Sequence, residues 1–145
     1  MGTKKRPEHV SFDRDGLTAA AAFRTQLRRF LHRTAAVTAD AGLTPQRYDL
    51  LLMVKTSEGG RTTIGELRKA LDLQQQAVTE LVKRATEAGL IRRSKSPGDG
   101  RVVVVELTGD GERRLAKAYR ALAQDRNELA RSFRGLRAAF PDQHR

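Results

Sequence analysis

The sequence predicts a mainly α chain with a small β-hairpin, and three observations carry that prediction. Thr63 and Glu66 stand at capping-box spacing ahead of a short helical run. Val78, Leu81, Val82 and Ala85 then fall on one side of a second helix, with Gln76, Thr79, Glu80, Lys83 and Glu87 on the other, up to a stop at Gly89. Beyond Gly89 the period becomes strand-like. The β-rich runs Leu90 to Lys95 and Arg101 to Leu107 are joined by Ser96-Pro97-Gly98-Asp99-Gly100, the pattern of a hairpin.

Helix, turn, amphipathic helix and basic hairpin make a winged helix-turn-helix. Such a unit sets one helix in the major groove of DNA and rests its hairpin, the wing, on the backbone or the minor groove. Residues 1–16 are polar and basic, with Pro7 and Gly16 as breakers, and are expected to form a flexible arm. From Leu17 to about Asp40, Ala20, Phe23, Leu27, Phe30, Leu31, Val37 and Ala41 recur at helical spacing, which predicts a long amphipathic helix in residues 17–43. Gly42-Leu43-Thr44-Pro45 then reads as a helix stop followed by an N-cap and a first-turn proline. Leu50, Leu51, Met53 and Val54 belong to the next helix, Gly59-Gly60 closes it, and Arg61-Thr62 is placed for a short strand against the wing. Leu71-Asp72-Leu73 is the turn between the two helices of the reading unit, and residues 44–107 form the expected DNA-binding lobe.

Thr108 caps a last helical region, residues 108–145, in which Leu115, Ala118, Leu122, Leu129, Phe133, Leu136 and Phe140 repeat at a spacing near 3.5. Both ends of the chain therefore carry an apolar stripe that a small reading unit cannot cover. A two-fold dimer through N- and C-terminal dimerisation helices is the expected solution, with Phe23, Leu27, Phe30, Leu129, Phe133 and Leu136 in the interface; the alternative is that the two stripes pack only on each other within one chain.

Lys+Arg 28 against Asp+Glu 17 gives a net charge of +11, which favours a polyanionic partner without separating DNA from RNA or an anionic membrane. No apolar run is long enough to span a bilayer and no signal-peptide core follows the start, so a cytoplasmic location and no membrane partner are expected. Cysteine is absent, which removes disulfides, thiolate metal sites and thiol redox sensing together. His9, His32 and His144 are scattered, and no nucleophile motif, phosphate loop or paired catalytic acids accompany them. No metal, cofactor or enzymatic activity is expected.

Several phrases, in their order, resemble the MarR family of multiple-antibiotic-resistance-type winged-helix regulators: Leu43-Thr44-Pro45-Gln46, Ile64-Gly65-Glu66-Leu67, Val78-Thr79-Glu80-Leu81-Val82-Lys83-Arg84, Gly89-Leu90-Ile91-Arg92-Arg93, Asp99-Gly100-Arg101 and Leu107-Thr108-Gly109-Asp110-Gly111. The resemblance spans about Leu17 to Phe140 and implies a homodimeric repressor of a pseudo-palindromic operator in double-stranded DNA. It further implies that Arg101 enters the minor groove with Asp99 orienting it, in keeping with the pull of a narrow groove on arginine. Many relatives bind a small aromatic or lipophilic effector between the dimer helices and the lobe. By position, His32, Arg33 and Tyr48 are the candidates to line such a cleft.

Two departures from the family pattern stand out. Gln74-Gln75-Gln76 replaces the usual N-cap of the recognition helix, and Glu80 occupies a position that is often basic, where it either pairs with Arg84 or accepts from a cytosine amino group. Glutamine suits bidentate contact with adenine, so Gln75 and Gln76 are the first candidates for base readout, followed by Thr79 and Lys83, with Arg84 completing the helix's DNA-binding set. Arg92, Arg93 and Lys95 on the wing read as phosphate contacts, which fix register without reading sequence. The rival readings are a low-specificity architectural, nucleoid-type DNA-binding protein and a winged helix whose partner is protein or RNA. A strongly preferred palindromic site would separate the first rival from a regulator.

Overall fold

The computed structural model describes residues 11–140, in two compact units: the described residues up to Leu31 together with Gln124 onward, and His32–Ala123. Helix α1 (Arg14–Asp40) runs through both. It starts inside the segment expected to be a flexible arm, because the Asp13 carboxylate accepts the N–H groups of Asp15 at 3.3 Å and Gly16 at 3.0 Å and so caps the first turn. Residues 1–10 of that expected arm lie outside the described residues.

In the first unit, the beginning of α1 and helix α6 (Ala123–Ala139) run antiparallel. The ring of Phe23 meets that of Phe133 edge-on, with centroids 4.7 Å apart and planes at 68°. Two turns away in opposite directions, Gly16 faces Phe140: a Cβ on Gly16 would lie 3.0 Å from the ring. Leu27, Phe30, Leu129 and Leu136 are half-buried, yet no residue of α6 is fully buried. The stripes expected to meet a second copy thus touch each other within one chain. Apolar surface is left over, because Leu17 stays 52% exposed, Leu31 55%, Phe133 50% and Phe140 53%.

The second unit is built around α2 (Pro45–Thr56), which touches α3, α4, α5 and the sheet. Thr44 accepts the Arg47 N–H at its start, with Pro45 in the first turn. After a 3-10 turn (Glu58–Gly60) come β1 (Arg61–Thr63), α3 (Ile64–Leu71), α4 (Gln75–Glu87), β2 (Ile91–Ser96), β3 (Asp99–Leu107) and α5 (Gly109–Ala121). The sheet is antiparallel in the order β1-β3-β2, with Thr62 opposite Val105 and Ile91 opposite Leu107. Leu50, Leu51, Val54, Val78, Val82, Ala85, Val105, Ala118 and Leu122 have no exposed surface at all. α1 and α4 both end in Schellman motifs, with Gly42 (φ 71°) and Gly89 (φ 73°) in the left-handed position.

The lobe is larger than the expected 44–107. Val37 and Ala41, read as part of a dimerisation stripe, are buried in the lobe's core, and so are Leu115, Ala118 and Leu122 of the expected C-terminal dimerisation region. The cause is α2, which is buried on more than one side and needs α5 against it, while the end of α1 is tied to α5. Arg114, held by Asp110 at 3.0 Å, donates to the Gly42 carbonyl at 3.1 Å, and Lys117 Nζ donates to the Asp40 carbonyl at 2.9 Å. These cations sit at the C-terminus of α1, whose own last turn has no basic residue. α5 is locked at its other end by Thr108, which caps Gly111 and donates its hydroxyl to the Gly89 carbonyl. Gly111 is required there, since any Cβ would run into the Leu90 carbonyl.

Candidate nucleic-acid interface

The turn between α3 and α4 sets how the exposed face of α4 is presented. Thr63 and Glu66 form the capping box that opens α3, and the Thr62 hydroxyl adds a 2.7 Å bond to the same carboxylate. These bonds, first that from Thr62, hold the Glu66 carboxyl below its ordinary pKa. Asp72 closes α3 in the left-handed region at φ 51°, the one non-glycine residue with positive φ among those described. α4 then begins at Gln75 with Gln74 as N-cap and no side-chain bond from it, in line with the missing cap read from the sequence.

Val78, Val82 and Ala85 fasten α4 to the core, which fixes what faces outward. By helical spacing Gln76, Glu80 and Lys83 lie at the centre of the exposed face. Glu80 accepts from Arg84 Nε at 3.3 Å, so the intrahelical pair forms. The Thr79 hydroxyl proton is used on the Gln75 carbonyl at 2.9 Å, leaving its oxygen lone pairs and methyl group for a base. On one flank, Gln75 and Thr79 share a cleft of about 400 Å³ with Thr63, Ile64, Gly65 and Arg101. No carboxylate lines it. On the other flank, Glu80 and Arg84 border a second groove with Arg47 and Gln46 at the start of α2. Neither Arg47 nor Gln46 was singled out from sequence, although the Thr44-Pro45 helix start places both in the exposed first turn of α2.

The wing is irregular in a way that positions Arg101. Lys95 stands opposite Val103 but Ser96 stands opposite Asp99, so Gly100, Arg101 and Val102 bulge from β3 without partners on β2. The turn itself is Pro97-Gly98, with φ 93° at the glycine. Asp99 accepts the backbone N–H of Arg101 at 3.0 Å. Asp99 therefore shapes the bulge that carries Arg101 through a bond to the main chain of Arg101, where an orienting role toward the side chain was expected. Arg93 and Lys95 are exposed on β2.

Arg92 differs from its neighbours. Its Nε donates to Glu106 at 2.7 Å, and Arg61 Nε reaches the other oxygen of the same carboxylate at 3.3 Å, so Glu106 on the central strand clasps both flanking strands. The bond from Arg92 is the main reason that the Glu106 carboxyl is held below its ordinary pKa. Arg92 is thus tied through its Nε to the base of the wing, while its side chain stays 62% exposed. His32 and Arg33 are exposed on α1, whereas Tyr48 is 5% exposed and part of the core. None of the three lines either cleft beside α4.

Comparison with known proteins agrees with this geometry. The sequence model described as MarR family matches residues 41–102. The HTH-type transcriptional regulator YsmB of Bacillus subtilis is 30% identical over 131 residues, covering 90% of this chain and 84% of that protein. YhbI of the same organism, also an HTH-type transcriptional regulator, is 37% identical over 68 residues, which covers 47% of this chain and only 44% of YhbI. Among solved structures, a mutant MarR from E. coli complexed with operator DNA matches with a TM-score of 0.65 at 20% identity, over 84% of this chain and 86% of that one. A capped α3, an outward-facing α4 and a bulged wing stand together in the segment where the family match falls, and the chain belongs to the MarR family of helix-turn-helix transcriptional regulators.

Proposed function

We propose that this protein is a homodimeric, sequence-specific double-stranded DNA-binding repressor of a pseudo-palindromic site. The observation that carries the reading is the acid-free cleft in which Gln75 and Thr79 of α4 face Arg101 of the wing. Donors and one cation converge there from two elements, as a groove edge and its adjoining phosphates require. Gln76 and Lys83 enter the major groove, Gln75 and Thr79 contact its edge, and Arg101 takes the minor groove or its bordering phosphate. The apolar surface left on Leu17, Leu31, Phe133 and Phe140 is covered by a second copy. That dimer holds its two α4 helices about 34–36 Å apart, one turn of DNA, and represses by occupying the site. Release by a small aromatic or lipophilic effector is the finer part of this reading; of its candidate residues His32 and Arg33 are exposed, and Tyr48 packs in the core.

The test is selection from random duplex DNA followed by titration of the selected site against a scrambled duplex at fixed salt. A palindrome with half-sites about 10–10.5 base pairs apart, preferred by about 10³-fold or more, is the expected outcome. Equal affinity for both duplexes would instead establish the architectural reading.

A further inference from the structure

The net charge is not concentrated where the DNA-reading surface is. In the lobe, His32–Ala123, sixteen basic residues face eleven acidic ones over 92 residues. In the described part of the helix pair, eight arginines face four carboxylates over only 38 residues, so the excess per residue is about twice as high. The distribution along each helix is sharper still. No acid occurs between Asp15 and Asp40 in α1, and none between Glu128 and Phe140 in α6.

Part of the lobe's positive charge is also neutralised by ion pairs. In the lobe, Lys55 pairs with Glu112, Arg61 and Arg92 with Glu106, Arg84 with Glu80, and Arg114 with Asp110. In the helix pair, Arg24, Arg28, Arg29, Arg131, Arg134 and Arg137 are all exposed, and among the described residues none of them makes an ion pair. Arg131, Arg134 and Arg137 follow one another at i,i+3, a ridge of three guanidinium groups with a rise of about 4.5 Å between neighbours. Phe23 and Phe133 fix the apolar seam between the helices, and helical spacing turns Arg131 and Arg134 away from it, with Arg137, four residues after Phe133, at its flank. An unneutralised row of guanidinium groups raises self-repulsion within a dimer, a cost that a row of phosphates offsets by bidentate contact and counterion release.

We infer that the exposed sides of α1 and α6 form a second, sequence-independent contact surface for duplex DNA, so that a protein bound at its specific site also holds another DNA segment. This rests on the DNA-binding reading above, and the experiment separates the two. A biotinylated duplex carrying the selected site is saturated with the full-length protein on beads, and a labelled scrambled duplex is then added. The loaded beads are expected to retain the labelled duplex at about 50 mM salt, with retention falling about 40-fold by 200 mM if three phosphates are contacted. Arg131→Gln/Arg134→Gln/Arg137→Gln should lower retention at least about tenfold in proportion to the lost contacts, while binding of the specific duplex stays within about twofold. Glutamine keeps helix propensity at these exposed positions. If circular dichroism nevertheless shows that variant to be unfolded, Arg24→Gln/Arg28→Gln on α1 is read in the same way.

Absence of retention by the parent overturns the inference, as does undiminished retention by a folded variant. Displacement of the labelled duplex by polyglutamate as effectively as by unlabelled DNA, charge for charge, also overturns it and assigns the surface to an acidic protein. Failure of the specific duplex to load the protein shows in the first step, before the second duplex is added, and removes the underlying reading together with this one.

Discussion

Arg101 and Arg92 are both wing arginines, and on the proposed reading their substitutions have different effects. Arg101 stands in a bulge without cross-strand partners and lines the cleft with Gln75 and Thr79, whereas Arg92 is bonded to Glu106 at the base of the wing. Removing a charge-assisted hydrogen bond costs about 1.5–3 kcal/mol, so Arg101→Ala should weaken specific binding by roughly 10- to 150-fold. If the lost contact is to a phosphate, the slope of log K against log salt should fall by about 0.9. The ratio of parent to variant affinity would then shrink about 3.5-fold between 50 and 200 mM salt. Arg92→Ala should leave that slope unchanged and show itself as a lower melting temperature of the lobe. Fluorescence anisotropy with the selected duplex at four salt concentrations measures both slopes. Equal slope losses in the two variants would refute the argument, because Glu106 would then not be holding Arg92 away from DNA.

Gln76→Ala should relax preference at one base position by about 1–3 kcal/mol, and an equal loss on every duplex would remove Gln76 from base readout. Phe133→Asp should convert a dimer to monomer in light scattering, since the ring is half exposed while touching Phe23; an intact dimer would place the interface elsewhere. Gly111→Ala should lower stability by about 1–3 kcal/mol in a denaturant titration, because its methyl group overlaps the Leu90 carbonyl. Glu66 is held below the ordinary glutamate value of 4.5, so its stabilising contribution is complete above that value and is lost as pH falls through the lower folded value. The melting-temperature advantage of the parent over Glu66→Gln should therefore be constant near neutrality and vanish in acid.

The sequence by itself determined the elements of the lobe and their order, because each boundary is a local event. The capping box at Thr63 and Glu66, the stops at Gly42 and Gly89, the proline after Thr44 and the change of period at Leu90 depend on neighbours within a few residues, and each appears where it was read. Local periodicity also placed Val78, Val82 and Ala85 inward and Gln76 and Lys83 outward. What a stripe packs against is not local. Val37 and Leu115 carry the same helical signal whether they face a second copy or their own lobe, and only tertiary packing around α2 assigned them to the lobe. The partner of a charge is equally non-local: Arg92 and Arg101 look alike in sequence, and they differ because β3 pairs in register at Glu106 and loses register at Gly100–Val102.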